Sequence, residues 1–335
     1  MGKLFYGVDV DKRLGITEGG HGYGVSIAVA KDGKVETYCS GSGRYGEVFP
    51  VNPDMLFQAG SVSKPNFALT LLRYADRGEI DIDADVQEYL KDFFDFPVTL
   101  EALLSHTAGL NVHGFEGYPA NHAELSLEDV LAGRGNSPKV EQVKPYGKQY
   151  MYSGGGTTAA ELVFTKITGK TLREAYQEEI ADTLGLKRTG YFQPLDEDLV
   201  ENAAFGGRLA TKKGEDPKHA YHYYPEHAAA GLWTTPTELT TIGLAISRSY
   251  REGGLLQKET AKRMVTPVLD KYGLCMMRGS EDVAGHGGAN EGFHTFWNFS
   301  LKKDLCVAVM MNKLTFFTAG AMVRVGEAIF EAADK

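Results

Sequence analysis

Gly60-Ser61-Val62-Ser63-Lys64-Pro65 is the stretch that decides how this chain is read. Ser61 and Lys64 stand three residues apart at a helix entrance, and side chains at i and i+3 share one helix face. A lysine kept from water there sheds its proton more readily and can serve as base toward the serine. The S-x-x-K pattern alone is weak, being expected roughly once by chance in a chain of ordinary composition. A second match, Ser300-Leu301-Lys302-Lys303, lies between the strand-like runs 293–299 and 305–311 and reads as a hairpin turn. Around the first match, Pro65 sits in the first turn, where its missing N–H costs nothing. Ala68, Leu71, Leu72 and Ala75 recur at helical spacing beside Phe67, Leu69 and Tyr74. That pattern predicts a helix buried on most sides and stopped by Gly78. On the motif alone, Ser61 as a plain N-cap and Lys64 as a solvated first-turn residue stay open.

The 335 residues leave room for a large core and suggest two lobes, and the 43% hydrophobic and 24% charged fractions are those of an ordinary globular chain. A net charge of −9 argues against a nucleic-acid binder. No apolar run approaches the ~18 residues of a membrane span. The first residues lack an apolar stretch followed by a small-residue cleavage site, so a cytoplasmic location is expected. Cys39, Cys275 and Cys306 lie far apart in apolar surroundings, as buried free thiols of a reducing compartment would.

Strand patterns occupy both ends of the chain. Residues 24–30 and 35–40 flank Lys31-Asp32-Gly33-Lys34, whose Asp-Gly pair marks a tight hairpin. Strands are predicted again over 273–278, 293–299 and 305–311, with a final amphipathic helix over 319–333. Between them the pattern is helices and loops, including a helix over 158–168. Thr171-Leu172-Arg173-Glu174 forms a capping box that opens a helix ending near Leu184. These elements assemble as an α+β fold: one antiparallel sheet built from both termini, flanked by helices, with a mostly helical lobe inserted. The expected boundaries are 1–62 with 267–335 for the sheet lobe and 63–266 for the helical one.

Two further clusters fall where a serine–lysine site needs them. Tyr150-Met151-Tyr152-Ser153-Gly154-Gly155-Gly156 puts a tyrosine on a glycine-rich loop, where its phenol could relay protons if a nearby lysine lowers its pKa. Gly285-His286-Gly287-Gly288-Ala289-Asn290 puts small residues at a strand edge, where a substrate could accept backbone N–H bonds. Each also has a plain structural reading, as a packed loop tyrosine and as a hairpin with a surface histidine.

Taken in order, Ser-x-x-Lys, Tyr152-Ser153-Gly154 in place of Tyr-x-Asn, and His286-Gly287-Gly288 in place of Lys-Thr-Gly resemble the serine β-lactamase and penicillin-binding-protein superfamily. The nearest branch is that of the class C β-lactamase-like esterases and D-aminopeptidases. Phe57-Gln58-Ala59-Gly60, Leu103-Leu104-Ser105-His106-Thr107-Ala108-Gly109-Leu110 and Ala229-Ala230-Gly231-Leu232-Trp233-Thr234-Thr235-Pro236 fit the same pattern, and the likeness runs from about Gly24 to the C-terminus. The resemblance implies a single β-lactamase/transpeptidase-like domain over 1–335. By it Ser61 is the acylated nucleophile, Lys64 its base and Tyr152 the proton relay; burial against apolar neighbours and a second cation would keep Lys64 neutral enough for that role. The backbone N–H groups of Ser61 and Ala289 form the oxyanion hole, while His286, Gly287, Gly288, Gly154 and Trp233 contact substrate.

The departures point to substrate. Gly154 lacks the asparagine amide, and His286 is a weaker, pH-dependent cation than lysine, one that would gain charge toward pH 6. An ester, or an amide without a terminal carboxylate, suits such a site better than a β-lactam. The implied protein is an esterase-like serine hydrolase of small substrates with no cofactor or metal. Its rivals are a D-amino-acid peptidase or amidase, a weak β-lactamase or carboxypeptidase, and an acylated sensor that never turns over. Gly41-Ser42-Gly43-Arg44-Tyr45-Gly46 fits G-x-G-x-x-G but opens no helix, which excludes dinucleotide binding. No G-x-S-x-G occurs. His219, His222, Glu226 and His227 read as a loop over the cleft rather than a metal site. His106 reads as a hydrogen-bonded turn residue and His294 as half-buried.

Overall fold

The computed structural model describes residues 4–17, 22–119, 125–206, 221–313 and 315–335. Six strands form one antiparallel sheet: β1 (Gly24–Lys31), β2 (Lys34–Gly41), β3 (Met277–Arg278), β4 (Val283–Asn290), β5 (Phe293–Ser300) and β6 (Leu305–Met311). Their spatial order is β2-β1-β6-β5-β4-β3, so the two ends of the chain meet where β1 pairs with β6. The first hairpin closes as the sequence predicts. Lys31 faces Lys34, and Asp32 and Gly33 have φ of +49° and +77°, the two positive values that a two-residue type I′ turn requires.

Four helices matter for the site: α1 (Ser63–Asp76), α2 (Gly154–Thr168), α3 (Pro236–Glu252) and α4 (Phe316–Asp334). Side chains alternate across the sheet, so Leu305, Val307, Val309 and Met311 of β6 face one way and Cys306, Ala308 and Met310 the other. The first set joins Val25, Ile27 and Val29 under Met322, Val325 and Ile329 of α4. The second joins the larger core that also holds Leu239, Ile242 and Ile246 of α3. Coverage on both faces is why 305–311 is apolar throughout instead of alternating. Trp297 of β5 ties the sheet to α3 by donating its indole N–H to the Leu239 carbonyl at 2.9 Å. Helix α3 therefore lies on the sheet, although the sequence reading grouped it with the helical segment 63–266.

Other departures have simple causes. Within 273–278 only Met277–Arg278 is strand. The apolar residues before it are buried because the chain loops through the core, with Cys275 at φ +54° donating its N–H to the Leu104 carbonyl at 2.8 Å. Strand β4 was read only at its edge, since its glycines erase the usual alternation. Helix α2 begins at Gly154 because Ser153 caps it, and α4 begins at Phe316 behind a Thr315–Thr318 capping box. The Thr171–Glu174 box is formed, and the second S-x-x-K is the turn between β5 and β6, where Ser300 Oγ accepts from the N–H groups of Lys302 and Lys303. Cys275 and Cys306 are buried free thiols, whereas Cys39 is only partly buried. Among the described residues no helix is long and apolar enough to cross a membrane.

Replacing Trp297 with Phe should cost about 1–3 kcal/mol by leaving the helix–sheet hydrogen bond unmade. Urea denaturation would show this as a lower midpoint at unchanged slope; an unshifted midpoint would mean the bond is not needed to hold α3 on the sheet.

Candidate active site

Ser61 sits in a single 3₁₀ turn, Gly60–Val62, that runs directly into α1. It is not the N-cap of that helix, a position held by Val62. The turn is pinned by Ser63, whose hydroxyl donates to the Gly60 carbonyl at 2.6 Å and accepts from Leu232 N–H at 2.9 Å. One helical turn on, Lys64 is buried, with Nζ 2.8 Å from the Ala229 carbonyl and 3.2 Å from Ser61 Oγ. Burial pushes this amine down to about 7, against the opposing pull of Cys275 and Glu226. Desolvation suffices, without the second cation that the sequence reading invoked. A neutral Lys64 can donate to Ala229 O and turn its lone pair toward the Ser61 hydroxyl.

Tyr152 completes the cluster. Its ring lies 5.0 Å from Lys64 Nζ, and its phenol lies near enough to Ser61 for the serine hydroxyl to favour its ionised form. The sequence reading had a nearby lysine lowering this phenol's pKa. Instead, burial raises it well above its usual value, only partly offset by the Ser61 hydroxyl. Tyr152 thus keeps its proton, and Lys64 is the group able to accept one. The loop that carries Tyr152 is clamped by His106. The His106 carbonyl accepts from Met151 N–H at 2.8 Å, its Nδ1 accepts from Ser153 N–H at 3.3 Å, and its ring packs 4.4 Å from that of Tyr152. Burial holds His106 neutral, in keeping with a turn residue that accepts rather than a base.

Strand β4 forms the opposite wall. Its partner β3 covers only Ala284 and Gly285, leaving 286–290 as a free edge. The turn at Glu291-Gly292 makes Asn290–Phe293 the closing pair of the β4–β5 hairpin, so Ala289 N–H points off that edge. The edge lies against the serine turn at a distance only glycine allows. A Cβ on Gly288 would fall 1.9 Å from the Ala59 carbonyl oxygen, and one on Gly60, at φ +55°, would fall 2.5 Å from Ala289 N. The backbone N–H groups of Ser61 and Ala289 are brought together by this contact.

Several substrate-contact expectations change. His286 is buried and pushed down to about 4 by desolvation, so it gains no charge near pH 6. A carbonyl can only accept, so His286 Nδ1 donates to Gly287 O, and Nε2 accepts from the Tyr272 hydroxyl at 2.8 Å. Trp233 is fully buried between Tyr221 and Phe293 and belongs to the core, not the cleft wall. Gly154 faces Phe115, whose ring would lie 2.9 Å from an added Cβ, so an asparagine there forces that ring to shift. His294 is buried rather than half-buried. His219 lies outside the described residues; among those described, no cluster of three or more His, Cys, Asp or Glu could hold a metal ion. Gly287 and Gly288 stand on β4 beside Ala289, as expected. Sequence reasoning missed Tyr272 and Phe115, which carry no motif.

A family model described as Beta-lactamase matches residues 15–327. The chain belongs to the Beta-lactamase family. Esterase EstB of Burkholderia gladioli is 28% identical over 156 residues, covering 42% of this chain and 40% of that protein. Acyltransferase calJ of Penicillium decumbens is 25% identical over 251 residues, covering 66% of this chain and 59% of that one. The chain thus spans about two fifths to three fifths of the length of these curated relatives. The solved structure of D-amino acid amidase from Ochrobactrum anthropi SV3 with L-phenylalanine amide matches at a TM-score of 0.79 and 19% identity, over 97% of this chain and 96% of that one. Likeness at that identity establishes the fold, which is α+β and β-lactamase/transpeptidase-like.

Two outcomes follow for this member of the family. kcat/KM on a neutral ester should fall as pH drops through about 7, where Lys64 becomes protonated, with no further limb from His286 down to about 4. A profile flat across pH 7 would exclude Lys64 as base. Gly154→Asn alone should lower the melting temperature and leave amide turnover no better, whereas adding Phe115→Ala should relieve the clash and recover stability. A stable Gly154→Asn single variant with improved amide turnover would contradict the assigned role of Phe115.

Proposed function

We propose that this protein is a serine hydrolase that cleaves uncharged esters of small substrates through an acyl-enzyme on Ser61. The observation that carries the reading is the buried Lys64 amine, 3.2 Å from Ser61 Oγ, beside a strand edge whose only imidazole is held neutral. Lys64 takes the Ser61 proton as Oγ attacks the ester carbonyl carbon. The carbonyl oxygen gains the negative charge between the N–H groups of Ser61 and Ala289, at the positive end of a helical turn. As the tetrahedral carbon collapses, the C–O bond to the leaving group breaks, Tyr152 gives its proton to the departing oxygen, and the Lys64 ammonium restores the Tyr152 proton. The alcohol leaves. A water then loses its proton along the same path, attacks the acyl carbon and releases the acid, and Ser61 recovers its hydrogen.

Substrate preference follows from what borders the edge. A fixed cation would favour a carboxylate, and the Tyr272–His286 pair supplies none; Gly154 offers no side-chain amide to an acylamino group. The esterase relative fits this reading, and the acyltransferase relative fits transfer of an acyl group to an acceptor in place of water. A D-amino-acid amidase is the second outcome to test.

Short-chain p-nitrophenyl esters should exceed penicillins in kcat/KM by at least ~10²-fold at pH 7.5, about 2.7 kcal/mol of transition-state binding. That ratio should hold at pH 6, because His286 stays uncharged there. Comparable efficiency on both substrates would favour the β-lactamase alternative, and faster turnover of a D-amino-acid amide than of any ester would favour the amidase.

A further inference from the structure

A buried carboxyl stands behind Lys64 and takes no part in the steps above. Glu161, on α2, is 2% exposed, and its Oε2 accepts from Ala228 N–H at 2.8 Å. Ala228 belongs to the short helix His227–Ala230, and the carbonyl of the following residue, Ala229 O, is the one that accepts from Lys64 Nζ at 2.8 Å. The two residues Ala228 and Ala229 therefore link the carboxyl to the amine. Lys64 Nζ has two hydrogen-bond partners, Ala229 O and Ser61 Oγ, so the place of the first fixes how the amine is aimed at the second.

Burying a carboxyl is expensive, and an apolar side chain could fill the same helix position. Desolvation pushes Glu161 up to about 8, which leaves it uncharged near pH 7 and able to accept from Ala228 through its carbonyl oxygen. The groups that face it are His227, with Nδ1 3.6 Å from Oε1, Glu226 from the same turn, and Tyr191. His227 is itself held neutral by burial, pushed down to about 4, so Glu161 does not depend on it as a fixed cation.

We propose that Glu161 is a positioning residue for Lys64: its carboxyl oxygen holds the Ala228 N–H and so fixes the Ala229 carbonyl that aims the lysine amine at Ser61. This rests on the assignment of Ser61 and Lys64 as nucleophile and base. The interaction required is a hydrogen-bond acceptor at this place, not a charge, and a small error in aim is costly, since misplacement by about 1 Å can slow a reaction ~10²-fold.

The test uses the full chain with Glu161→Gln, which keeps an acceptor, and Glu161→Met, which keeps the volume without a strong one. Active sites are counted with a fluorophosphonate. Per active site, Glu161→Met should lose at least ~10-fold in kcat with KM within about threefold, while Glu161→Gln keeps kcat within about threefold and the same pH limb. Should the Met variant fail to fold, Glu161→Asp, whose carboxyl is withdrawn by one methylene, is expected to show the same loss in kcat. A Met or Asp variant with wild-type kcat overturns the proposal, and so does a Gln variant as impaired as Met. The underlying assignment fails separately, if the fluorophosphonate labels a serine other than Ser61 or if Lys64→Ala stays fully active.

Discussion

Two backbones touch at Gly60 and Gly288, and the site is arranged around that contact. A Cβ on either glycine would collide with the facing main chain. Because neither has one, the serine turn seats itself against the free edge of β4, and the N–H groups of Ser61 and Ala289 share one small region. Helix α1 then carries Lys64 one turn further into the protein. The sheet's role is to hold β4 still: β5 pairs with it over its whole length, and the Trp297–Leu239 bond fastens β5 to α3.

The chemistry depends on dryness more than on charge. Lys64 is a usable base near neutral pH because burial outweighs the influences that favour its ammonium form. The same dryness keeps Tyr152 protonated and His106 and His286 neutral. The result divides the labour cleanly, with one group able to accept a proton and one able to donate. In the proposed function it also sets selectivity, since neutral hydrogen-bonded rings at Tyr272 and His286 supply no fixed cation to a carboxylate. In the proposed mechanism acylation creates a buried ammonium, which the Ala229 carbonyl is placed to receive.

Much of this was legible in the sequence because it depends on local spacing. The i, i+3 pairing of Ser61 with Lys64, the Asp32-Gly33 turn, the Thr171–Glu174 box and the uninterrupted apolar run of β6 all declare themselves within a few residues. What was misread depends on tertiary surroundings. A histidine's charge follows from its burial, so His286 could be named but not assigned a protonation state. The room beside Gly154 is taken by Phe115, from a loop some forty positions earlier. Trp233 could have faced the cleft or the core equally well until Tyr221 and Phe293 were seen to enclose it. Residues 273–278 share the apolar character of a strand, but their burial comes from a loop in the core, which periodicity cannot distinguish over so short a run. Glu161 sits inside a helix as an ordinary glutamate would, and only its contact with Ala228 sets it apart.

The most direct test of the central claim is to trap the acyl-enzyme. The protein would be quenched in acid within its first turnovers of a p-nitrophenyl ester, digested, and mapped by mass spectrometry. The expected result is one acyl group on the peptide containing Ser61, localised by fragmentation to Ser61 rather than Ser63, and absent from Ser61→Ala. An adduct on Ser63 or Ser153, or full ester turnover by Ser61→Ala, would contradict it.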